Sequence, residues 1–301
     1  MTVFVQKYDL VSLDLSHFPS LTSLDLSGNQ LQGGLPKTIR KLSKLEELYA
    51  SSNMLEGDVT EAHFSNLTNL QFLDLSNNVA LSFNLRRSWS PTFQLRSLSL
   101  AKCKVGPQFP IWLQTQSKVF EVDISFGGIS DIIPNWFWNM SKSYRSLNLS
   151  YNNIGGRLPH FLPPIVDLGS NKFWGPILIN PQAASILHLS NNKFAGSISF
   201  LCSISLATCI DLSYNQLSDE IPNCWNKNFV FDLHVLNLAN NRFSGKVPHS
   251  LGSLLELESL HLRNNNLTGE LPLSLQNCTS VLLILEEINL LEEFHHGLGD
   301  L

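Results

Sequence analysis

Five cysteines and nine histidines, among 25 acidic and 20 basic side chains, are the residues of this 301-residue sequence suited to nucleophilic attack, proton transfer or metal binding. Their spacing serves none of these tasks. The histidines are scattered, and no H-E-x-x-H, G-x-S-x-G, P-loop or Cys-x-x-Cys pattern occurs. Gly-Gly pairs at 33–34, 127–128 and 155–156 lie in turns, and none follows a strand in a dinucleotide-binding pattern. The expectation is a chain with no enzyme activity, no metal and no cofactor. What does recur at fixed spacing suits the holding of a partner. Asp25, Tyr49, Asp74, Ser99, Asp123, Asn148, Asp167, His188, Asp211, Asn237 and His261 share one place in a periodic pattern. Three residues further on stand Lys102, Phe126, Tyr151 and Tyr214, with Arg96, Phe120 and Arg145 nearby. Exposed aromatics beside basic side chains are the usual makings of a binding hot spot. His188 falls between Asp167 and Asp211 of adjoining units, so its charged form should be favoured. The acids have a plainer reading, since L-D-L-S recurs as a structural phrase. For the aromatics both readings stay open.

The pattern that positions these residues is L-x-x-L-x-L-x-x-N-x-L-x-G-x-[IL]-P. It reads "LTSLDLSGNQLQGGLP" from Leu21, "YRSLNLSYNNIGGRLP" from Tyr144 and "LHVLNLANNRFSGKVP" from Leu233. Eleven units start at 21, 45, 70, 95, 119, 144, 163, 184, 207, 233 and 257, mostly 23–26 residues apart. A fixed period of this size marks leucine-rich repeats. Within L-x-x-L-x-L the apolar residues alternate as in a short strand with one buried face. The expected fold class is an α/β repeat solenoid: a right-handed leucine-rich repeat superhelix with a parallel β-sheet on its concave face and an irregular or 3-10 convex side. Residues 1–20 read as a degenerate partial repeat, 21–280 as the array and 281–301 as an aberrant tail.

The asparagine of the pattern follows the strand, where the chain turns and its backbone groups need partners. An amide carries donors and an acceptor, so a ladder of Asn29, Asn53, Asn78, Asn152, Asn171, Asn192, Asn215, Asn241 and Asn265 is expected to bridge neighbouring coils. In the triplet Asn264–Asn266 the middle residue is the buried one. Cys103 and Gly127 break the column in adjacent units, and looser hydrogen bonding is expected there.

Charged residues make up 15% of the chain, against about 25% in ordinary domains. A net charge of -5 provides no basic field for nucleic acid. The longest apolar run near either end is "VLLIL" at 281–285, far short of a membrane span. Lys7 and Asp9 stand where a signal peptide needs its apolar core, so neither an export signal nor an anchor is expected in this chain. Five N-x-[ST] sequons nevertheless suit the secretory route: Asn66, Asn139, Asn148, Asn266 and Asn277. Asn148 and Asn266 lie inside the repeat pattern and carry little weight. Cys202 and Cys224 stand 18 and 17 residues into successive repeats, so they should be neighbours at about 5–6 Å between Cα atoms, the distance of a disulfide. Cys103 and Cys209 are expected to be free.

A hydrophobic residue followed by proline closes seven units, at Pro36, Pro110, Pro134, Pro159, Pro222, Pro248 and Pro272. Together with "FQLRSLSLAKCKVGPQFPIWLQTQ" (93–116) and "GISDIIPNWFWNMS" (128–141), this resembles plant leucine-rich repeat receptor-like proteins of the disease-resistance and fungal-xylanase-receptor class. The resemblance covers about residues 10–280. It implies a plasma-membrane ectodomain fragment that binds an extracellular peptide, protein or glycan through its concave face and signals through a partner receptor kinase. Against that family, this chain is expected to lack the signal peptide, the N-terminal cysteine-paired cap, the terminal cap and the span. A secreted inhibitor of a cell-wall-degrading enzyme and a truncated, non-functional product are the alternatives.

A twelfth repeat is due at Val281, yet "VLLILEEINLLEEFHHGLGDL" dissolves into Glu and His. Locally it reads as a short amphipathic helix with Leu282, Leu285 and Leu290 on one face. The codons of these residues, read one base later from Leu283, are compatible with D-L-G-G-N-K-L-T-G-G-I-P-P-W-I-G. A one-base shift near residue 281 would explain the loss of the repeat, and the coding DNA decides it.

Overall fold

The alternation of apolar and polar residues at the head of each repeat dictates a strand with one face buried. The computed structural model describes residues 14–180, 184–225 and 232–278, with the backbone alone of 282–284. It divides into two compact units, residues 1–156 and 157–301. In the first unit β1 (Ser23–Asp25), β2 (Glu47–Tyr49), β3 (Phe72–Asp74), β4 (Ser97–Ser99), β5 (Glu121–Asp123) and β6 (Ser146–Asn148) pair in parallel, each in phase with the next. In the second, β7 (Ile165–Asp167), β8 (Ile186–His188), β9 (Cys209–Asp211), β10 (Val235–Asn237), β11 (Ser259–His261) and β12 (Leu282–Ile284) do the same. In-phase pairing puts equivalent side chains side by side. Leu24, Leu48, Leu73, Leu98, Val122 and Leu147 form one buried row, and Val166, Leu187, Ile210, Leu236 and Leu260 form another.

β12 corrects the local reading of the tail. Leu282–Ile284 is a strand and not the start of a helix, because the edge of β11 offers unpaired N–H and C=O groups to an apolar run. Its register with Ser259–His261 runs one residue ahead of the phase that the spacing predicts. The rest of the tail lies outside the described residues. At the other end, Asp14 occupies the aspartate place of a further coil and accepts a hydrogen bond from the Ser16 N–H at 2.9 Å.

After each strand the chain turns at the eighth residue of the repeat, and in all eleven repeats that residue is left-handed, with φ between 52° and 66°. The ninth residue then ties the turn to its neighbour. In Asn78, Oδ1 accepts from the Leu55 N–H (3.0 Å), while Nδ2 donates to the carbonyls of Ala50, Leu75 and Ser76. Asn53, Asn152, Asn192, Asn215, Asn241 and Asn265 repeat this arrangement, each with one N–H and one carbonyl of the preceding coil. Among the described residues, Asn29 donates to the carbonyls of its own coil, Leu26 and Ser27. Asn171 also donates to its own coil, at the Leu168 and Gly169 carbonyls. Asn53, Asn78 and Asn171 are buried; the other members are half-buried.

The two breaks in the column are bonded in another way and are not loose. Cys103 sends its Sγ–H to the Leu75 carbonyl at 3.1 Å. At Gly127 the backbone replaces the amide, its carbonyl accepting from the Val105 and Gly106 N–H groups at 2.9 and 2.8 Å.

The return segment of the coil is short and helical or irregular. Pro36, Pro110, Pro248 and Pro272 each precede a five-residue 3-10 turn, and Pro134 precedes α2 (Asn135–Met140); α1 (Glu61–Phe64) is the other helix of the first unit. The fixed φ of proline sets the entry to these turns. Cys202 and Cys224 are joined in a disulfide on successive coils, with Cα atoms 5.6 Å apart.

Candidate functional site

The acids at the fifth position of the repeat stand at the ends of the strands, and their first task is local. Oδ1 of Asp25, Asp74, Asp123, Asp167 and Asp211 accepts a hydrogen bond from the N–H two residues on, each at 2.9 Å. Asn148 and Asn237 do the same to Ser150 and Ala239. This short-range bond prepares the turn into the left-handed eighth residue. In Asp123 the second oxygen is also engaged, accepting from Asn148 Nδ2 at 3.1 Å.

The eighth position gathers the aromatic candidates of the first unit. Phe126 and Tyr151, on adjacent coils, stack with ring centroids 4.1 Å apart and planes 8° from parallel. Lys102 Nζ lies 5.8 Å from the centre of the Phe126 ring. The rings stand out in water, 45% and 55% exposed. A left-handed backbone costs a residue with a Cβ about 1–2 kcal/mol, a penalty that Gly, Asn and Asp bear most easily. Gly28, Asn77, Asn191, Asn240 and Asn264 follow that preference; Lys102, Phe126, Tyr151 and Tyr214 go against it. Beside the stack is an open depression of about 680 Å³, whose lining includes Val79, Lys102, Lys104, Pro107, Phe126 and Gly128. Val79 is 68% exposed, so its wall is apolar and its rim carries two ammonium groups.

Arg96, Phe120 and Arg145 do not join this cluster. They neighbour one another along the opposite edge of the strands, where the Phe120 N–H donates to the Arg96 carbonyl and the Arg145 N–H to that of Phe120. Six residues of chain, up to about 20 Å, separate the two rows. In the second unit Tyr214, 52% exposed, stands at the eighth position between Asn191 and Asn240 of the flanking coils.

His188 lies across the strands from two acids and one thiol. Its Nδ1 is 3.9 Å from Asp167 Oδ2, its Nε2 is 3.2 Å from Cys209 Sγ, and Asp211 is its register partner on β9. The Asp167 carboxylate and then the Cys209 sulfur hold the ring protonated, pushing its pKa up to about 10. The closeness of Cys209 to His188 is not legible in the repeat spacing. The two residues occupy different places in the repeat and meet only diagonally, across the pairing of β8 with β9. The other free thiols are buried and donate to carbonyls, Cys103 to Leu75 and Cys278 to Leu254. Burial pushes the Cys103 thiol up to about 11 and raises that of Cys278.

Among the sequon residues, Asn66, Asn139, Asn266 and Asn277 are exposed, while Asn148 is half-buried with its amide in hydrogen bonds. Among the described residues no three His, Cys, Asp or Glu side chains group to hold a metal ion, and no helix is long and apolar enough to cross a membrane.

The leucine-rich repeat family model matches residues 20–42, 145–164, 207–228, 232–254 and 256–278. The chain is 47% identical over 189 residues to receptor-like protein EIX2 of Solanum lycopersicum, covering 60% of this chain and 18% of that protein. It is 41% identical over 132 residues to receptor-like protein EIX1 of the same plant, covering 42% of this chain and 13% of that protein. The chain therefore spans less than a fifth of the length of these two relatives. Among solved structures, it is similar to the leucine-rich repeat ectodomain of the membrane receptor kinase GASSHO1/SCHENGEN3 from Arabidopsis thaliana, in complex with CASPARIAN STRIP INTEGRITY FACTOR 2. The TM-score is 0.74 at 29% identity, over 89% of this chain and 36% of that one.

Proposed function

We propose, on the premise that the chain is a leucine-rich repeat array of the plant receptor-like class, that it forms part of an ectodomain recognising an extracellular peptide, protein or glycan. The observation that carries this reading is the Lys102–Phe126–Tyr151 row beside its apolar depression. Two stacked rings on a costly backbone keep about half of their surface in water, and that half is available to bury a partner. Val79 supplies apolar floor, and Lys102 and Lys104 supply charge to an acidic or carbonyl-rich ligand. The similarity to an ectodomain solved with a bound factor supports the same use of the repeat. Signalling would then pass to a partner kinase at the plasma membrane, since the family carries none of its own.

A direct test uses a fungal xylanase, the ligand class implied by the family resemblance, with panels of secreted peptides and cell-wall glycans beside it. Binding to the 301-residue chain is measured by calorimetry, then repeated with Phe126→Ala/Tyr151→Ala. Loss of two hot-spot rings should weaken the complex at least about tenfold with folding intact. Equal affinity for the two proteins would end the assignment of this face.

A further inference from the structure

Cys209 differs from every other described cysteine. Cys202 and Cys224 are bonded to each other, and Cys103 and Cys278 are buried against carbonyls. Cys209 is half-exposed on the strand face, with Sγ 3.2 Å from His188 Nε2 and Asp167 behind the far nitrogen of the same ring. Nucleophile, proton carrier and orienting carboxylate thus lie in the order that activates a thiol. Ile186 and Val235 flank Cys209 in register, so its strand neighbours are apolar. With the proton resting on His188, the sulfur faces a full positive charge, and a thiolate is the form that attacks.

We propose that Cys209 and His188 form a thiol–disulfide exchange site on the strand face of the second unit, taking small disulfides with positively charged arms. The charge preference comes from Asp167 and Asp211, which bracket His188 on β7 and β9 and meet any arm extending from the sulfur. In the reaction the Cys209 thiolate attacks one sulfur of the incoming disulfide. The old S–S bond breaks, and its other sulfur departs as a thiolate that is protonated from water. Cys209 is left in a mixed disulfide. One disulfide is consumed and one formed, so no further oxidant enters.

The experiment treats the 301-residue chain with cystamine at pH 7 and follows the intact mass. One cysteamine per chain should appear on Cys209, at least about tenfold faster than on free cysteine. Cys209→Ser should abolish the addition, and His188→Gln should slow it by roughly tenfold. Asp167→Asn leaves thiol and imidazole in place and should slow it in the same direction, which keeps the test valid if His188→Gln disturbs folding. Oxidised glutathione, with acidic arms, should lag behind cystamine once each is scaled to its rate with free cysteine, and about 1 M salt should narrow that gap. Modification that survives Cys209→Ser would overturn the proposal. So would wild-type rates in both His188→Gln and Asp167→Asn, or a preference for oxidised glutathione.

Discussion

Asn78 is wholly buried, and one amide there serves an N–H and three carbonyls drawn from two coils. Replacing it with alanine leaves those groups without partners in a place water does not reach, a loss of about 1–3 kcal/mol. Urea unfolding of Asn78→Ala checks this, and wild-type stability would show that the bonds between coils contribute nothing special. The place of every ladder residue could be read from spacing alone, because the period fixes where the strand ends. Its backbone setting one residue earlier was harder to read. Gly28 and four asparagines mark the left-handed site, but Phe126 and Tyr151 hide it, and their stacking depends on two coils at once. Cys209 was legible as a free thiol; its contact with His188 depends on side-chain direction across a strand pair.

At the scale of the coil, the segment from 103 to 129 shows how the fold copes with a missing amide. The chain draws together there. A Cβ on Gly106 would overlap the carbonyl oxygen and carbon of Gly128. No side chain can yield at that point, because the obstacle is backbone. Gly106→Ala should therefore cost more than about 3 kcal/mol, beyond the usual range for overpacking. Gly28→Ala, at φ +66° with nothing within 4 Å, should cost only the left-handed penalty of about 1–2 kcal/mol. Thermal unfolding of both variants distinguishes the cases; a mild Gly106→Ala would mean the coils can part without loss. The sequence located this break correctly but suggested slackness. A missing Asn side chain says nothing about a carbonyl moving in to replace it.

Within each unit a coil rests on its neighbours, and surface additions are tolerated only where no neighbour needs the space. Asn66 follows α1, Asn139 lies in α2 and Asn277 closes the last 3-10 turn; all three are exposed. Asn148 instead ends β6, with its amide committed to Asp123 and Ser150. Protein made in a secretory host should carry glycans on Asn66, Asn139 and Asn277 and none on Asn148, as read by peptide mass after enzymatic deglycosylation. A glycan at Asn148 would contradict the arrangement of that strand end.

The bond between Cys202 and Cys224 has a mechanical consequence. A stack of coils pulled from its carboxyl end opens one coil at a time, each release passing the load to the next. In the second unit that unravelling meets a covalent ring when it reaches Cys224. The 21 residues between Cys202 and Cys224, a sequence separation of 22, cannot join the extended thread. Roughly 80 Å of contour is withheld, and tension passes straight from one cysteine to the other. The disulfide is a rip-stop sewn across two adjacent coils.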